Sequence, residues 1–182
     1  MNLDKLFKMQ KVLRDRINYN EPDRFNKLVL ALLVELGECA NEWRGFKFWS
    51  VNQVPHTSAV RVPAMMDEDK VFYNPLLEEY VDGLHFVLEL GIELDYKNPL
   101  YIPIGIYPKE TTDYFIELYY KISELNILQM FHKEEKIVKD SYQEIFDMYL
   151  HLGHKLGFTW EQIEQAYMDK NAVNHQRQED GY

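Results

Sequence analysis

Cysteine is nearly absent from this chain, and hydrophobic runs long enough to cross a bilayer are missing. The one cysteine, Cys39, cannot form an internal disulfide, so a disulfide-stabilised secreted domain is excluded. The most uniform apolar stretch, Leu28–Val34, is far shorter than a membrane span. The first ten residues, MNLDKLFKMQ, lack the apolar segment of a signal peptide. We therefore expect a soluble cytoplasmic protein.

Basic residues are also scarce. The chain has 20 Lys and Arg against 30 Asp and Glu, which gives a net charge of −10. This balance argues against nucleic acid or an anionic membrane as the main partner. A nucleoside triphosphate remains possible if a divalent metal ion mediates its binding. The patterns G-x-x-x-x-G-K-[ST], G-x-S-x-G and C-x-x-C do not occur, so phosphate-loop, serine-hydrolase and dithiol chemistry are not indicated.

The pattern of apolar residues predicts one all-α domain over residues 1–182. We expect an antiparallel bundle of about six helices with two long loops. The predicted helices cover 4–18, the stretch from Pro22 to about 43, 75–95, 111–131, 135–156 and the chain from 159 onward. The predicted loops cover 50–74, with irregularly spaced apolar residues, and 97–109, which holds three prolines and one glycine.

Two helices carry acidic residues at the edge of the predicted core. Leu28–Val34 has no polar face, so we expect it to be buried on all sides, and Glu35 and Glu38 follow it on one face. Glu79 and Asp82 repeat this arrangement before another apolar run. If the two helices lie side by side, the four carboxylates can share one Mg²⁺ ion, which prefers oxygen ligands. The alternative is that these acids form ordinary solvated helix faces.

The last helix carries an unusual polar stripe. Tyr167, Lys170, Asn174 and Arg177 are spaced three, four and three residues apart, with Asn171 at the edge. The stripe contains no acid although the protein is acidic. Cations combined with amide donors are suited to phosphate oxygens and a sugar hydroxyl. The alternative is a solvent-facing side of the helix.

Four further side chains have two interpretations each. His85 shares the carboxylate face and could simply hydrogen-bond and orient Asp82. Trp49 could belong to the core or form a platform for a base near a metal and phosphate site. The pair His151 and His154 could bind a metal, but surface or capping roles are more common for such residues.

Four segments together resemble the all-α dimeric dUTPases, especially the phage and Gram-positive bacterial type. They are ELGE at 35–38, NEWRGFKFWS at 41–50, EYVDGLHF at 79–86 and YMDKNAVNHQRQEDGY at 167–182. The first and third patterns mark the wider group of all-α nucleotide pyrophosphatases, which includes MazG-like enzymes. The C-terminal pattern is more specific.

The resemblance implies a homodimeric, Mg²⁺-dependent diphosphatase that acts on dUTP, and on dUDP as a further possible substrate. Water would attack the α-phosphorus and release pyrophosphate. The implied metal ligands are Glu35, Glu38, Glu79 and Asp82, with Glu35 or Glu38 activating the water. The implied substrate contacts are Gln10, Trp49, His85, Lys170, Asn171, Asn174, Arg177 and Tyr182. Some relatives have a polar residue where this chain has Leu13, three residues after Gln10.

Three other functions fit parts of the sequence. The same chemistry could act on dCTP or a damaged nucleotide, because base choice depends on few hydrogen bonds. A di-iron oxidase needs two E-x-x-H motifs, whereas only Asp82-x-x-His85 approaches one. A regulatory protein that binds other proteins would be expected to use Ser50–Asn74.

Overall fold

The computed structural model describes residues 2–62, 70–96, 110–131 and 133–181, without the side chain of Val62. Within them the chain forms a bundle of six helices and one two-stranded hairpin, which confirms the all-α class. The elements are α1 (Leu3–Ile17), α2 (Arg24–Trp43), β1 (Ala59–Val62), β2 (Val71–Tyr73), α3 (Pro75–Glu93), α4 (Thr111–Met130), α5 (Glu135–Lys155) and α6 (Trp160–Glu179). The predicted loop over 97–109 lies outside the described residues.

Local sequence signals set several helix ends. The Asn74 side chain accepts a hydrogen bond from the backbone N–H of Leu77 and starts α3, with Pro75 in its first turn. Thr159 and Gln162 form a capping box at the start of α6. Arg44 ends α2 in a left-handed conformation with φ of 66°.

Helix α3 lies at the centre of the bundle and packs against α1, α2, α5 and α6. Twelve of its nineteen residues are buried, including Tyr80, Leu84 and Leu88. Such a helix brings every polar group it carries close to a neighbouring helix. The side chains of Glu79, Asp82, His85 and Glu89 are positioned in this way.

Two tyrosines link α3 to α5 by reciprocal hydrogen bonds. The Tyr80 hydroxyl donates to the backbone carbonyl of Tyr149 over 3.1 Å, and the Tyr149 hydroxyl donates to that of Tyr80 over 2.8 Å. Their rings stack 5.0 Å apart. Gly83 and Gly153 make room for the two hydroxyl groups, because a methyl group at either position would collide with one of them. These hydrogen bonds and the ring stacking fix the position of α3 relative to α5.

Helix α2 is less buried than we predicted. Leu30 is 62% exposed and Val34 is 50% exposed, so the Leu28–Val34 stretch is not buried on all sides. Helix α4 packs beside α2 and also exposes apolar or aromatic side chains, among them Ile116 and Tyr120. The apolar run therefore serves two surfaces, the core and an apolar outer face.

The stretch predicted as a loop over 50–74 contains a short antiparallel hairpin, which the sequence pattern did not indicate. Ala59 pairs with Tyr73 and Val60 pairs with Phe72. The guanidinium of Arg61 lies 4.2 Å from the centre of the Tyr73 ring. Among the helices of the described residues, none has the length and apolar character required to span a membrane.

Candidate active site

Three carboxylates from two adjacent helices form a compact cluster. Glu35 comes from α2, while Glu79 and Asp82 lie three residues apart on one face of α3. One oxygen of each lies within 4.8 Å of the others, and all three side chains are partly buried. The prediction that the two helices lie side by side is confirmed, because α2 packs along α3. The oxygen-only donor set is suited to a hard divalent cation.

The surroundings of the three carboxylates disfavour the state in which all of them are ionised. Burial, followed by the charges of Asp82 and Glu38, raises the pKa of Glu35 to about 7. Burial, followed by the neighbouring carboxylates of Asp82, Glu38 and Glu35, raises the pKa of Glu79 to about 8. Burial also raises the pKa of Asp82. A divalent cation among these oxygens would favour their ionised forms.

Glu38 occupies a different position from the other three acids. It is exposed and is not among the three residues whose oxygens converge. Its side chain hydrogen-bonds with Glu79, which contributes to the raised pKa of Glu79. The structure therefore places Glu38 at the solvent side of the cluster, and its role as a metal ligand stays a prediction.

Lys170 on α6 binds carboxylates in this structure. Its Nζ lies 2.5 Å from Oδ2 of Asp82 and 3.2 Å from Oε1 of Glu78. Glu78 also pairs with Arg61 from the hairpin. The stripe on α6 carries no acid of its own, but α3 supplies two, so this cation is not simply facing solvent. Glu78 and Arg61 extend the site beyond the residues that the sequence indicated.

A cavity of about 410 Å³ lies between α1, α2, α3 and α6, and four of the predicted substrate residues line it. These are Gln10, His85, Asn174 and Arg177. Apolar side chains, among them Leu13, Leu28 and Phe86, make up much of the remaining wall. The cavity combines an apolar wall with a few polar groups, which is typical of a small-molecule site.

Gln10 is held by three buried side chains. Its Oε1 lies 2.8 Å from both Nδ1 of His85 and the hydroxyl of Tyr167. Its Nε2 donates to Oε2 of Glu89 over 2.9 Å. The rings of His85 and Tyr167 stack with centroids 4.0 Å apart. Nδ1 of His85 contacts Gln10, and its Nε2 has no hydrogen-bond partner among the described residues, so the prediction that His85 orients Asp82 is wrong.

The two titratable groups of this network have displaced pKa values. Burial, assisted by the charge of Lys170, lowers the pKa of His85 to about 3, so the ring is neutral. Burial raises the pKa of Glu89, while the Gln10 amide and the Arg14 and Arg24 guanidinium groups oppose that rise. Oε1 of Glu89 lies 3.4 Å from Arg14 and 3.3 Å from Arg24.

A second cavity of about 440 Å³ lies along a neighbouring face of α6, between the hairpin and the start of α3. Arg61, Lys170 and Arg177 all line it. Arg177 lines both cavities, and its charge opposes the rise that burial causes in the pKa of Asp82, so it lies near the acidic cluster as well. Three cations beside a carboxylate cluster can bind an anionic chain such as a triphosphate.

Lys170 lines the second cavity, and three other predicted substrate residues are not among the described residues that line the first. Trp49 is 65% exposed, packs edge-on against Phe46 and Phe48, and is not among the residues described as lining it. Asn171 is buried beneath the stripe, and its Nδ2 has no hydrogen-bond partner among the described residues. Tyr182 lies outside the described residues.

Glu89 and Glu78 are the site residues that the sequence reasoning missed. Glu89 lies in an apolar run of α3, seven residues after Asp82 and therefore two turns further along the same helix. A lone acid in such a run requires a buried partner, which was the available signal. Arg61 gave no comparable signal, because its position depends on the hairpin.

Fold and site together define an all-α protein with a candidate divalent-metal cluster beside a nucleoside-sized cavity, the combination expected of a nucleotide hydrolase. The dUTPase family model matches residues 2–64 and 66–182, so the chain belongs to the dUTPase family. It is a nucleoside triphosphate pyrophosphohydrolase that converts dUTP into dUMP and pyrophosphate. The family generally uses a divalent metal ion, and an acidic group able to bind one is present. A comparison with curated proteins found no match.

Proposed function

We propose that Glu35, Glu79 and Asp82 hold the metal ion of this dUTPase, that the ion is Mg²⁺, and that the nucleoside of dUTP occupies the Gln10 cavity. The observation that carries the proposal is the convergence of three partly buried carboxylates, whose burial raises their pKa values, with a further rise from neighbouring carboxylates at Glu35 and Glu79. Burying acids together is costly unless a cation joins them. A bound Mg²⁺ would supply positive charge to the carboxylates and the triphosphate together.

Glu38 is suited to act as the general base. Its carboxylate lies beside Glu79 at the exposed side of the cluster, where a water molecule can reach it. In the proposed reaction a water oxygen bonds to the α-phosphorus, the bond from that phosphorus to the bridging oxygen breaks, and Glu38 accepts the water proton. The products are dUMP and pyrophosphate. Glu35 is the alternative base, because its raised pKa also allows it to take a proton.

Lys170 and Arg177 are placed to bind the phosphates. Both line the second cavity beside the cluster, and both carry their charge close to Asp82. With Asp82 engaged by a metal ion, the Lys170 ammonium would be available for a phosphate oxygen. The two cations would then stabilise charge as it shifts toward the leaving pyrophosphate.

A matched pair of variants tests the metal and catalytic assignment. Glu79→Gln removes one charge from the cluster with little change in shape, and we expect turnover of dUTP with Mg²⁺ to fall at least about 100-fold. Glu42→Gln makes the same change on α2 outside the cluster, where the carboxylate instead contacts His56 over 2.6 Å. We expect this control to keep near-normal turnover. Near-normal turnover by Glu79→Gln would refute the assignment.

We also propose a cytoplasmic homodimer that buries the outer face of α2 and α4. Leu30, Val34, Ile116 and Tyr120 are all at least half exposed on these two helices. Exposed apolar patches of this kind mark interaction surfaces, and a twofold dimer would cover them. Light scattering at micromolar concentration should give the mass of two chains, and a monomer mass would contradict the dimer.

A further inference from the structure

We propose that Glu89 and Tyr167 are specificity-determining positioning residues. They hold the Gln10 amide so that it offers the base one N–H donor and no acceptor. The enzyme thereby selects a pyrimidine with a carbonyl at C4 over one with an amino group there. This inference rests on the proposed function in one respect, the placement of the nucleoside in the Gln10 cavity.

The orientation of the Gln10 amide follows from its contact with Glu89. An ionised carboxylate can only accept hydrogen bonds, so the Gln10 atom 2.9 Å from Oε2 of Glu89 must be the amide nitrogen. Two guanidinium groups, from Arg14 and Arg24, lie against the other oxygen of Glu89 and favour its ionised form. The reversed amide would place two acceptors against each other.

The other end of the amide is then fully used. Oε1 of Gln10 has two lone pairs, and it accepts from Nδ1–H of His85 and from the Tyr167 hydroxyl, each at 2.8 Å. His85 can act as this donor while neutral, with the proton on Nδ1. Of the two amide hydrogens, one is bound to Glu89. The second is therefore the only polar group that Gln10 can offer to a ligand in the cavity.

This single donor distinguishes bases by the group at C4. Uracil and thymine carry a carbonyl oxygen there, which accepts a hydrogen bond, whereas cytosine carries an amino group, which donates. Position C4 lies opposite the N1 atom that bears the sugar. Since Arg177 connects the cavity to the acidic cluster, the sugar and phosphates lie on that side and C4 points toward buried Gln10. A buried donor facing another donor is strongly unfavourable.

The test compares kcat/KM for dUTP, dCTP and dTTP in two variants. Tyr167→Phe removes the hydroxyl that holds Oε1 of Gln10 but keeps the ring that stacks on His85. We expect dCTP to gain about three- to tenfold relative to dUTP, the range for one neutral hydrogen bond. Glu89→Gln should shift the ratio further, because its new amide can donate to Gln10 and allow the Gln10 amide to reverse. In both variants the ratio of dTTP to dUTP should stay constant, since both bases carry the C4 carbonyl.

Tyr142→Phe is the matched control. It also deletes a hydroxyl of a fully buried tyrosine, which donates to the Val87 carbonyl over 3.0 Å, away from Gln10. It should lower thermal stability without changing any substrate ratio. If Tyr167→Phe, folded by circular dichroism, keeps the wild-type ratio of dCTP to dUTP, the proposal is overturned.

Gln10→Ala separates this inference from the proposed function. If Gln10→Ala lowers kcat/KM for dUTP while Tyr167→Phe and Glu89→Gln keep the wild-type ratio, the nucleoside site stands and the positioning role fails. If Gln10→Ala leaves every rate unchanged, the cavity does not hold the base, and both proposals fail.

Discussion

Two acids on α3, Glu79 and Glu89, lie ten residues apart and meet opposite surroundings. Glu89 faces two guanidinium groups and a fixed amide, so its charge is matched by donors. Burial raises the pKa of Glu79, and the facing carboxylates of Asp82, Glu38 and Glu35 raise it further. Burial raises the pKa of both acids, but neighbouring donors oppose that rise at Glu89, whereas neighbouring carboxylates add to it at Glu79.

The difference separates a structural acid from a functional one. An acid that helps the fold is supplied with its partners by the chain itself, as α1 and α2 supply Arg14 and Arg24. An acid cluster without enough internal cations is costly in the folded state and is retained when an external cation completes it. The chemistry is therefore expected at the cluster around Glu79, which lacks enough internal cations. Glu89, which has its cationic partners, positions the groups that bind the substrate beside it.

The largest expected effect on stability comes from making one substitution at both positions in the absence of divalent metal. Glu89→Gln removes one of the two carboxylates that Arg14 and Arg24 contact, the other being Glu93, and we expect a loss of about 1–3 kcal/mol in the free energy of unfolding. Glu79→Gln relieves repulsion, so its Tm should equal or exceed that of the wild type. Chemical denaturation in EDTA measures the free energy of unfolding of both variants. Equal losses of that free energy would contradict the difference between Glu79 and Glu89.

A smaller effect is expected from replacing Arg177, which lies near the Glu79 cluster and lines the Gln10 cavity. Arg177→Ala should lower kcat/KM for dUTP about 10- to 150-fold, because a charged hydrogen bond to phosphate is worth about 1.5–3 kcal/mol. Its side chain is exposed, so the free energy of unfolding should change by less than about 0.5 kcal/mol. Steady-state kinetics and a melting curve check the pair. Wild-type kinetics would assign Arg177 to a solvated helix face.

The smallest effect is the pH dependence of the metal-free protein. Folding raises the pKa of Glu35 and Glu79 from 4.5 to about 7 and about 8, so the folded state binds more protons than the unfolded state between these values. Stability should therefore fall as pH rises from about 4.5 to about 8. Solvent screening of these half-exposed groups makes the slope shallow. Glu79→Gln should flatten it further, and an unchanged slope would exclude Glu79 as a source.

The helix pattern could be predicted from the sequence because it depends on local spacing and caps. The stretches from Asp4, Pro75, Glu135 and Thr159 all became helices near their expected limits. The convergence of Glu35, Glu79 and Asp82 was also predictable. Spacing places the acids of each helix on one face, and the prediction that the two helices are neighbours brings those faces together. The exposure of the outer side of α2 was not predictable, because an apolar run does not reveal whether its second face meets the core or another surface.

Contacts between distant segments account for what the sequence could not show. Arg61 reaches Glu78 only through the hairpin register, and Gln10 meets Tyr167 across 157 positions. The spacing of His85 suggested Asp82 as its partner, yet α1 supplies Gln10 instead. Spacing within a helix defines a face, whereas the neighbour of that face is decided by the packing of the whole bundle.

A calorimetric titration of the metal-free protein with Mg²⁺ at pH 8 tests the central claim most directly. The account predicts saturable binding by the wild type and by Glu42→Gln, and loss of that binding in Glu79→Gln, with all three proteins folded. Glu89→Gln should retain binding, because its carboxylate is already matched by Arg14 and Arg24. Wild-type Mg²⁺ binding by Glu79→Gln would contradict the claim that the uncompensated cluster is the metal site.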